Sequence, residues 1–243
     1  MERYGRLALV FDTAESALGT VALRLVQHGL DPLYARDEDE LVLTAREHRE
    51  RIAALVLPGT LPLETIDSLL KRVVRNLPSG TSSVVLVAPT RRRSHLLLLR
   101  DRGIRWVVFE PYDASELRFA VSAALATGDA LEARRGLRVP IRLPASVRHA
   151  RATRTGEVTN LSIEGAFVAL PEPPEVGAAL SLEFPIGERL LRVQAVVVRR
   201  AEEADPGQAE GSPGMGVAFT GLSPLEEHLV GGFVRERVDS FRL

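Results

Sequence analysis

Residues 52–57 read Ile-Ala-Ala-Leu-Val-Leu, an unbroken apolar run that ends at the turn formed by Pro58 and Gly59. A strand with one face in water alternates apolar and polar residues, whereas a strand of a parallel sheet is buried on both faces and is apolar throughout. The run therefore predicts a strand of a parallel sheet that is covered by helices on both sides.

The same unit, a short apolar strand followed by a helix, is repeated on both sides of this run. The predicted strands are residues 7–11, 32–36, 52–57, 83–88 and 106–109. Helical spacing and capping residues predict helices at residues 14–28, 37–50, 63–77, 91–102 and 113–127. Because parallel strands need crossover connections, these units predict a doubly wound α/β domain with five parallel strands over residues 1–127.

The segment after the fifth strand is similar to a motif of a known family. It reads Glu110-Pro111-Tyr112-Asp113 followed by Glu116-Leu117, which resembles the Lys-Pro-Phe-Asp and Glu-Leu of receiver domains. Together with the five repeated units, it makes residues 6–127 resemble a bacterial response-regulator receiver domain. The resemblance implies acidic residues after the first strand, a phosphate-accepting Asp after the third, a Ser or Thr after the fourth, and a Lys before the proline.

The residues at those positions do not fit phosphoryl transfer. The first strand ends with Asp12 as its single acid, the third ends at Leu57, the fourth ends at Ala88, and Glu110 stands at the lysine position. Leu57 cannot accept a phosphoryl group, and one carboxylate is a poor Mg²⁺ site. The first domain is therefore predicted to be a pseudo-receiver, in which Asp12 and Thr90 cap helices instead.

After a break near residues 127–129, the chain changes to short strands. They are predicted at residues 141–148, 154–160, 166–170, 179–184, 190–200 and 216–219. Strands at this spacing, separated by turns rich in Pro and Gly, indicate a small antiparallel barrel or sandwich. Residues 202–213 are rich in Glu, Ala, Gly and Pro and predict a mobile hairpin loop.

A helix is predicted after the last strand. Ser223, Pro224 and Glu226 form its N-terminal capping signal, and it is expected to continue to about residue 239. Its expected apolar stripe, which would cover an open end of the barrel, consists of Leu225, Leu229, Phe233 and Val234.

Two short motifs lie near the start of this second half. Arg134-Arg135-Gly136-Leu137-Arg138 satisfies R-x-x-x-R before the first strand, and Asn160-Leu161-Ser162-Ile163-Glu164-Gly165 satisfies N-x-S-x-x-G and begins 22 residues after Arg138. A third segment, Gly214-Met215-Gly216-Val217-Ala218-Phe219, precedes the final helix. On these motifs and the strand order, residues 132–241 resemble the PilZ family of cyclic di-GMP receptors.

This resemblance implies a fold, a ligand and a set of ligand-binding residues. The fold is a six-stranded antiparallel β-barrel with a C-terminal helix, here residues 138–243, preceded by a linker at 128–137 that carries R-x-x-x-R. The ligand is the second messenger cyclic di-GMP, which is bound without chemistry. The implied ligand-binding residues are Arg134, Arg135, Arg138, Asn160, Ser162 and Gly165.

The chemistry of these residue types suits this ligand. Cyclic di-GMP presents guanine O6 and N7 acceptors and phosphates, which planar arginine donors can bind or stack upon. Asn160 offers a donor and an acceptor to a guanine edge, and Ser162 offers a hydroxyl to a base or phosphate. Gly165 allows a close backbone approach or a positive φ.

Each motif also has a structural alternative. The arginines are equally consistent with an exposed polar linker, and the second motif is consistent with an Asx turn that closes a hairpin. Residues 134–154 hold seven arginines and no acid. The four that no motif explains are expected on a solvated strand face: Arg142, Arg148, Arg151 and Arg154.

Composition excludes several classes of function. The 31 basic and 32 acidic residues give a formal charge of -1, which argues against nucleic-acid binding by bulk charge. There is no cysteine, and the five histidines lack metal-ligand spacing, so disulfides, thiolate chemistry and a metal cofactor are not expected. No stretch approaches the roughly 20 apolar residues that cross a bilayer, which predicts a cytoplasmic protein without membrane insertion.

Two functions remain open from the sequence. The first is a cyclic di-GMP receptor that signals by interdomain or protein–protein contact, and the second is a PilZ-like interaction module that does not bind the nucleotide. The complete motifs favour the first. An enzyme is not expected, because the sequence offers no nucleophile with a nearby base, no phosphate loop and no acidic metal cluster. The expected partners are cyclic di-GMP and a protein partner, or a homodimer through the N-terminal domain, but not DNA.

Overall fold

The computed structural model describes residues 6–13, 18, 21, 25–26, 30–77, 80–89, 93–126, 137–201 and 213–243. The chain divides into two compact units, Met1–Leu131 together with Phe241–Leu243, and Glu132–Ser240. Three sequence predictions lie mainly or wholly outside the described residues: the helix at 14–28, the linker at 128–137 and the loop at 202–213.

The first unit contains a parallel sheet of five strands. They are β1 (Arg6–Phe11), β2 (Leu30–Ala35), β3 (Ile52–Pro58), β4 (Val84–Ala88) and β5 (Trp106–Phe109), in the order β2-β1-β3-β4-β5. The described helices are α1 (Glu38–Glu47), α2 (Leu63–Val73), α3 (Arg93–Asp101) and α4 (Ala114–Leu125). This strand order is that of doubly wound, receiver-like folds. The α/β class and the five parallel strands are confirmed.

Burial explains why residues 52–57 identify the sheet. Every residue of β3 is buried, and Leu55 and Leu57 are fully inaccessible to solvent. On one face they share a core with Leu9 of β1 and Leu86 of β4, and on the other face Ala54 and Val56 are also fully buried, so both faces of the strand are covered. The strand is therefore apolar at every position.

Capping residues set the helix starts that the sequence predicts. The Asp37 carboxylate accepts the Glu40 N–H at 2.8 Å at the start of α1, and Asp113 and Glu116 form a reciprocal capping box at the start of α4. Helix α2 is shorter than the predicted 63–77, because a 3₁₀ turn at Val74–Asn76 follows it. Leu77 has extended backbone angles, which a residue before proline favours.

The last three residues of the chain pack in the first unit, although the sequence analysis places them in the barrel domain. The Val107 N–H donates to the Phe241 carbonyl at 2.9 Å, and the Leu243 N–H donates to the Arg105 carbonyl at 3.0 Å. The Phe241 ring lies 4.9 Å from that of Phe119. Strand β5 is at the edge of the sheet, so its free backbone groups are available to this tail.

The second unit is a closed barrel of six antiparallel strands, as expected. The strands are β6 (Val139–His149), β7 (Ala152–Leu161), β8 (Gly165–Ala169), β9 (Ala179–Ile186), β10 (Arg189–Ala201) and β11 (Gly214–Thr220). They are joined in the order β10-β11-β8-β7-β6-β9.

Helix α5 (Pro224–Asp239) follows the barrel and begins with the predicted Ser223–Glu226 capping box. Its buried face differs from the predicted stripe, because Leu225 is 60% exposed while Val230, Val234 and Val238 are buried. These three valines, four residues apart, form one helix face that packs inward. The Arg237 Nε donates to the Pro140 carbonyl at 2.8 Å and holds the helix against the start of β6.

Candidate functional site

A row of paired residues crosses the outer face of the barrel. Pro140 is opposite Asn160, Asn160 is opposite Phe167, Phe167 is opposite Gly216, and Gly216 is opposite Arg199. Directly paired residues of neighbouring antiparallel strands point to the same face of a sheet. The residues next to them in sequence, including Leu161, Ala166 and Val217, are buried and form the opposite, interior face.

Asn160 is the unusual member of this row. Its Oδ1 atom is buried and has no hydrogen-bond partner within the described part of the chain. A bulge at Thr159 precedes it on β7, and a second irregularity lies between Pro140 and Leu143 of β6. An unpaired buried acceptor is rare in folded proteins, and it is expected where a ligand supplies the missing donor.

Ser162 closes the turn between β7 and β8. Its side chain is buried, its N–H donates to the Gly165 carbonyl at 2.8 Å, and its Oγ donates to the same carbonyl at 3.1 Å. A hydroxyl has only one proton to donate. While this hydrogen bond to Gly165 is formed, the Ser162 hydroxyl can accept a hydrogen bond from a ligand but cannot donate one. Direct contact between Ser162 and a ligand stays a prediction.

Gly165 holds the turn against β11. A Cβ at this position would lie 2.1 Å from the Val217 carbonyl oxygen, and the backbone of Gly165 does not have a positive φ. A glycine is expected here either for a close backbone approach or for a positive φ, and the structure shows the close backbone approach. The Phe219 N–H also donates to the Glu164 carbonyl at 2.9 Å, which ties the other side of the turn to β11.

The arginine motif is described only at its last residue. Arg138 is exposed and immediately precedes Val139, which pairs with Leu161. Arg138 therefore lies beside the Asn160–Gly165 segment, whereas Arg134 and Arg135 lie outside the described residues. The four other arginines are exposed as expected, and Arg142 and Arg154 form ion pairs with Glu157 and Glu172.

Four residues of this face were missed as site candidates. The Phe167 ring is almost buried, and the Arg199 Cζ atom lies 5.6 Å from its centroid. A Cβ at Gly214 would lie 2.7 Å from Phe167 Cζ, and a Cβ at Gly216 would lie 2.8 Å from Arg199 Cγ. The two glycines therefore make room for the ring and the guanidinium. The sequence shows that the two glycines are two residues apart, but it does not show that Phe167 and Arg199 lie next to them.

At the described strand ends of the first unit, polar groups are paired locally. Asp12 Oδ1 accepts the Leu18 N–H at 2.9 Å, which gives this acid a local structural role. The Gly59 N–H donates to the Val87 carbonyl at 2.7 Å, and a Cβ at Gly59 would lie 2.7 Å from Ala88 Cβ. Over the residues that the structure describes, no group of three or more His or acidic side chains could hold a metal ion.

Comparison with known proteins identifies the second half. Residues 132–236 match the family model of the PilZ domain. Among solved structures, the motility inhibitor MotI/DgrA of Bacillus subtilis is 19% identical over 43% of this chain and 50% of its own, with a TM-score of 0.38. The chain therefore spans about half the length of that protein.

Two further structures match one half of the chain each. The PilZ domain of YcgR from Escherichia coli, solved with c-di-GMP, is 16% identical over 44% of this chain and 93% of its own, with a TM-score of 0.37. A response regulator receiver domain protein from Clostridium thermocellum is 18% identical over 49% of this chain and 94% of its own, with a TM-score of 0.43. No curated protein sequence matches the chain significantly.

The described helices include none that is long and apolar enough to span a membrane. The family match covers the R-x-x-x-R and N-x-S-x-x-G motifs, the closed barrel and most of α5. Residues 132–236 of this chain are a PilZ domain.

Proposed function

We propose that this chain is a receptor for cyclic di-GMP and that the nucleotide binds on the outer face of the PilZ domain, around Asn160. The observation that carries the proposal is the buried Oδ1 atom of Asn160, which has no partner in the described residues. An unpaired buried acceptor destabilises a protein by about 1–3 kcal/mol. A guanine supplies N–H donors on its edge, so the nucleotide would remove this penalty on binding.

The arginine motif supplies the complementary donors. Arg138 is exposed beside the Asn160–Gly165 segment, and Arg134 and Arg135 precede it by a few residues. A guanidinium can form a planar pair of hydrogen bonds with guanine O6 and N7 or bind a phosphate. We assign base and phosphate binding to these three arginines.

Ser162 and Gly165 support the site by shaping the turn. The Ser162 hydrogen bonds and the close approach of Gly165 to Val217 fix the path of the backbone that leaves Asn160. The backbone of this turn and the Ser162 oxygen would then contact the ligand. Their main contribution is to hold Asn160 in position.

The chain is assigned a regulatory rather than a catalytic role. This proposal follows from the match of residues 132–236 to the PilZ domain, the family that the two motifs resemble and whose known role is binding cyclic di-GMP without chemistry. Within the described residues there is no candidate cluster for a metal cofactor either. We place the protein in the cytoplasm of a bacterium, where cyclic di-GMP is available, and we expect no binding of DNA.

Calorimetric titration with cyclic di-GMP tests the proposal. The parent is expected to bind, and Arg138→Ala is expected to weaken binding by about 1–3 kcal/mol, the value of a bidentate arginine contact with guanine. Arg148→Ala is the matched control, because Arg148 is an exposed arginine of β6 outside both motifs. Equal affinities of the two variants would overturn the assignment of Arg138, and no binding by the parent would favour a ligand-free interaction module.

The signal is proposed to leave through the linker and the first unit. Residues 134–138 begin nine positions after the end of α4 at Leu125, so a ligand that clamps them would also constrain the chain between the units. Hydrogen exchange should then show new protection across residues 128–140 and 160–165 when cyclic di-GMP is added. Protection confined to residues 160–165 would contradict signalling through the linker.

The proposed protein contact of the first unit includes α3. Leu97 and Leu98 are each 43% exposed next to the exposed Arg100, whereas Leu99 is buried. Exposed neighbouring leucines on one helix are typical of a contact surface. Light scattering with and without cyclic di-GMP tests the homodimer, and a monomer under both conditions would leave a different protein as the partner.

A further inference from the structure

The described row of paired residues on the outer face includes an arginine that belongs to neither PilZ motif. Arg199 of β10 is opposite Gly216 of β11, and it lies in the same row as Phe167 and Asn160. No other arginine that the structure describes has its guanidinium over a ring of this row.

The side chain of Arg199 is directed back along the row. Its backbone is three strands away from that of Asn160, about 14 Å at the usual strand spacing of about 4.8 Å. Its Cζ atom nevertheless lies 5.6 Å from the centroid of Phe167, which is the residue directly paired with Asn160. The guanidinium therefore lies over the neighbour of Asn160 rather than over its own strand.

Two glycines make this arrangement possible. A Cβ at Gly216 would lie 2.8 Å from Arg199 Cγ and 3.0 Å from its Nε, and a Cβ at Gly214 would lie 2.7 Å from Phe167 Cζ. A side chain at either position would displace the arginine or the ring. The absence of side chains at Gly214 and Gly216 therefore leaves room for the ring of Phe167 and the guanidinium of Arg199.

A guanidinium that rests on an aromatic ring presents a second planar face to solvent. Planar guanidinium groups stack on bases, and an aromatic ring below holds them in a fixed orientation. A base that stacked there would lie next to Asn160, because Phe167 is directly paired with Asn160, whose Oδ1 lacks a donor in the described residues.

We propose that Arg199 is a further ligand-binding residue of this PilZ domain and that it stacks, with Phe167 beneath it, on a guanine whose edge meets Asn160. The inference rests on the proposed binding of cyclic di-GMP. It adds a residue from β10 to a site whose motif residues lie before β6 and between β7 and β8.

Titrations of four proteins with cyclic di-GMP test the inference: the full-length parent, Arg199→Ala, Arg199→Lys and Arg189→Ala. Arg189 is the matched control, because it is an exposed arginine on the same strand and lies outside the row. Arg199→Ala is expected to bind about tenfold more weakly than the parent, as expected for the loss of a base-stacking contact. Arg189→Ala is expected to bind like the parent.

The lysine variant separates stacking from charge. Lys retains the positive charge but has no planar face, so Arg199→Lys is expected to bind nearly as weakly as Arg199→Ala. Parent-like binding by Arg199→Lys would overturn the stacking role.

A double-mutant cycle with Phe167→Leu tests whether the ring acts through the arginine. Phe167→Leu should weaken binding, and adding it to Arg199→Ala should cause little further loss, because both substitutions remove the same stack. Additive losses would overturn the joint role of the pair. Thermal unfolding of each variant without nucleotide verifies that the barrel is folded.

Failure of this inference is distinguishable from failure of the proposed function. If the parent binds and Arg199→Ala binds equally well, the role of Arg199 is overturned while the receptor function stands. If the parent does not bind, the receptor function and the role of Arg199 are both overturned.

Discussion

The strand ends of the parallel sheet and the outer face of the barrel differ in whether their described polar groups have hydrogen-bond partners. At the ends of β3 and β4, the Gly59 N–H is paired with Val87, and Leu57 and Ala88 are buried. On the barrel, the Asn160 Oδ1 atom is buried without a partner in the described residues. The first region has apolar residues at these strand ends, whereas the second has a buried acceptor without a partner among the described residues.

The difference extends to the edges of the two regions. The tail Phe241–Leu243 covers part of the edge strand β5 of the sheet. At Gly214 and Gly216, instead, β11 has no side chain that would meet Phe167 or Arg199. The described sheet edge is therefore partly covered by backbone pairing, and the described row of the barrel has two positions without side chains, where we propose that the ligand binds.

The largest expected effect is that of Gly165→Ala. The new Cβ would lie 2.1 Å from the Val217 carbonyl, so β8 and β11 must separate. We expect the free energy of unfolding of the barrel to fall by about 3 kcal/mol, the upper end of typical overpacking effects. Urea denaturation measures the change. Gly232→Ala is the control, because a Cβ at this helical glycine has no heavy atom within 4 Å and is expected to be neutral or stabilising.

Phe241→Ala tests the covering of the sheet edge. Phe241 is 3% exposed and packs on Phe119, so its loss should destabilise the first unit by about 2 kcal/mol. Leu225→Ala, at a residue that is 60% exposed, should change the stability by less than about 0.5 kcal/mol. Equal effects of the two variants would show that the tail does not pack on the sheet in solution.

Asn160→Ala should separate binding from stability. It removes an acceptor that has no partner in the described residues, so the free energy of unfolding without ligand should be unchanged or higher. Affinity for cyclic di-GMP should fall about tenfold, which corresponds to about 1.4 kcal/mol. Calorimetry and urea denaturation measure the two quantities.

Ser162→Ala is the contrasting variant at the same turn. It removes a hydrogen bond to Gly165 and should lower the stability by about 1 kcal/mol. A clear loss of stability in Asn160→Ala, equal to that in Ser162→Ala, would contradict the assignment of Asn160 to the ligand.

A smaller effect is expected from pH at the start of α5. The hydrogen bonds from the Ser223 backbone and hydroxyl lower the pKa of Glu226 below its ordinary value. A lowered pKa in the folded state stabilises the protein above the unfolded-state pKa, and this stabilisation is lost as the pH falls through the folded-state pKa. In Glu226→Gln, the stability of the barrel should depend less on pH in that acidic range, as measured by thermal unfolding. An unchanged pH dependence would show that the capping box does not contribute.

Phosphorylation of the first unit is expected to be absent. Leu57 is fully buried where a receiver has its acceptor, so acetyl phosphate with Mg²⁺ should leave the intact mass unchanged. A receiver that retains its aspartate is the positive control. A mass increase of one phosphate on residues 1–127 would contradict the pseudo-receiver assignment and remove the contrast between the two regions.

The elements that the sequence predicted well are those with local signals. Strand β5 was predicted with the observed bounds, and the capping boxes at Asp113 and Ser223 were identified from three-residue spacings. The buried face of α5 was predicted wrongly at Leu225. An apolar residue in a first helical turn satisfies the periodic pattern, but only the packing against the barrel decides which face of the helix is buried.

The residues of the candidate site also divide into those that a local sequence pattern identifies and those that only the packing of strands brings together. The motif residues were found because their spacing within one segment is sufficient to name them. Arg199 and Phe167 were missed, since they come from separate strands and meet only through the pairing of β8, β11 and β10. The role of Gly165 also depended on its distance from Val217, which no local pattern encodes.

The sequence by itself determined the parallel sheet and the barrel in their order along the chain, and it shows the spacing of both motifs, whose role in binding stays a prediction. These follow from the period of apolar residues, from capping residues and from short spacings, all of which act within one segment of chain. Only the tertiary structure decided that the Asn160 Oδ1 atom lacks a partner, that Arg199 lies over Phe167, and that the tail at Phe241 packs on β5. Strand register and bulges decide these contacts, because they bring together residues that are far apart in the chain. A shift of one residue in the register of a strand would turn its side chains to the opposite face of the sheet.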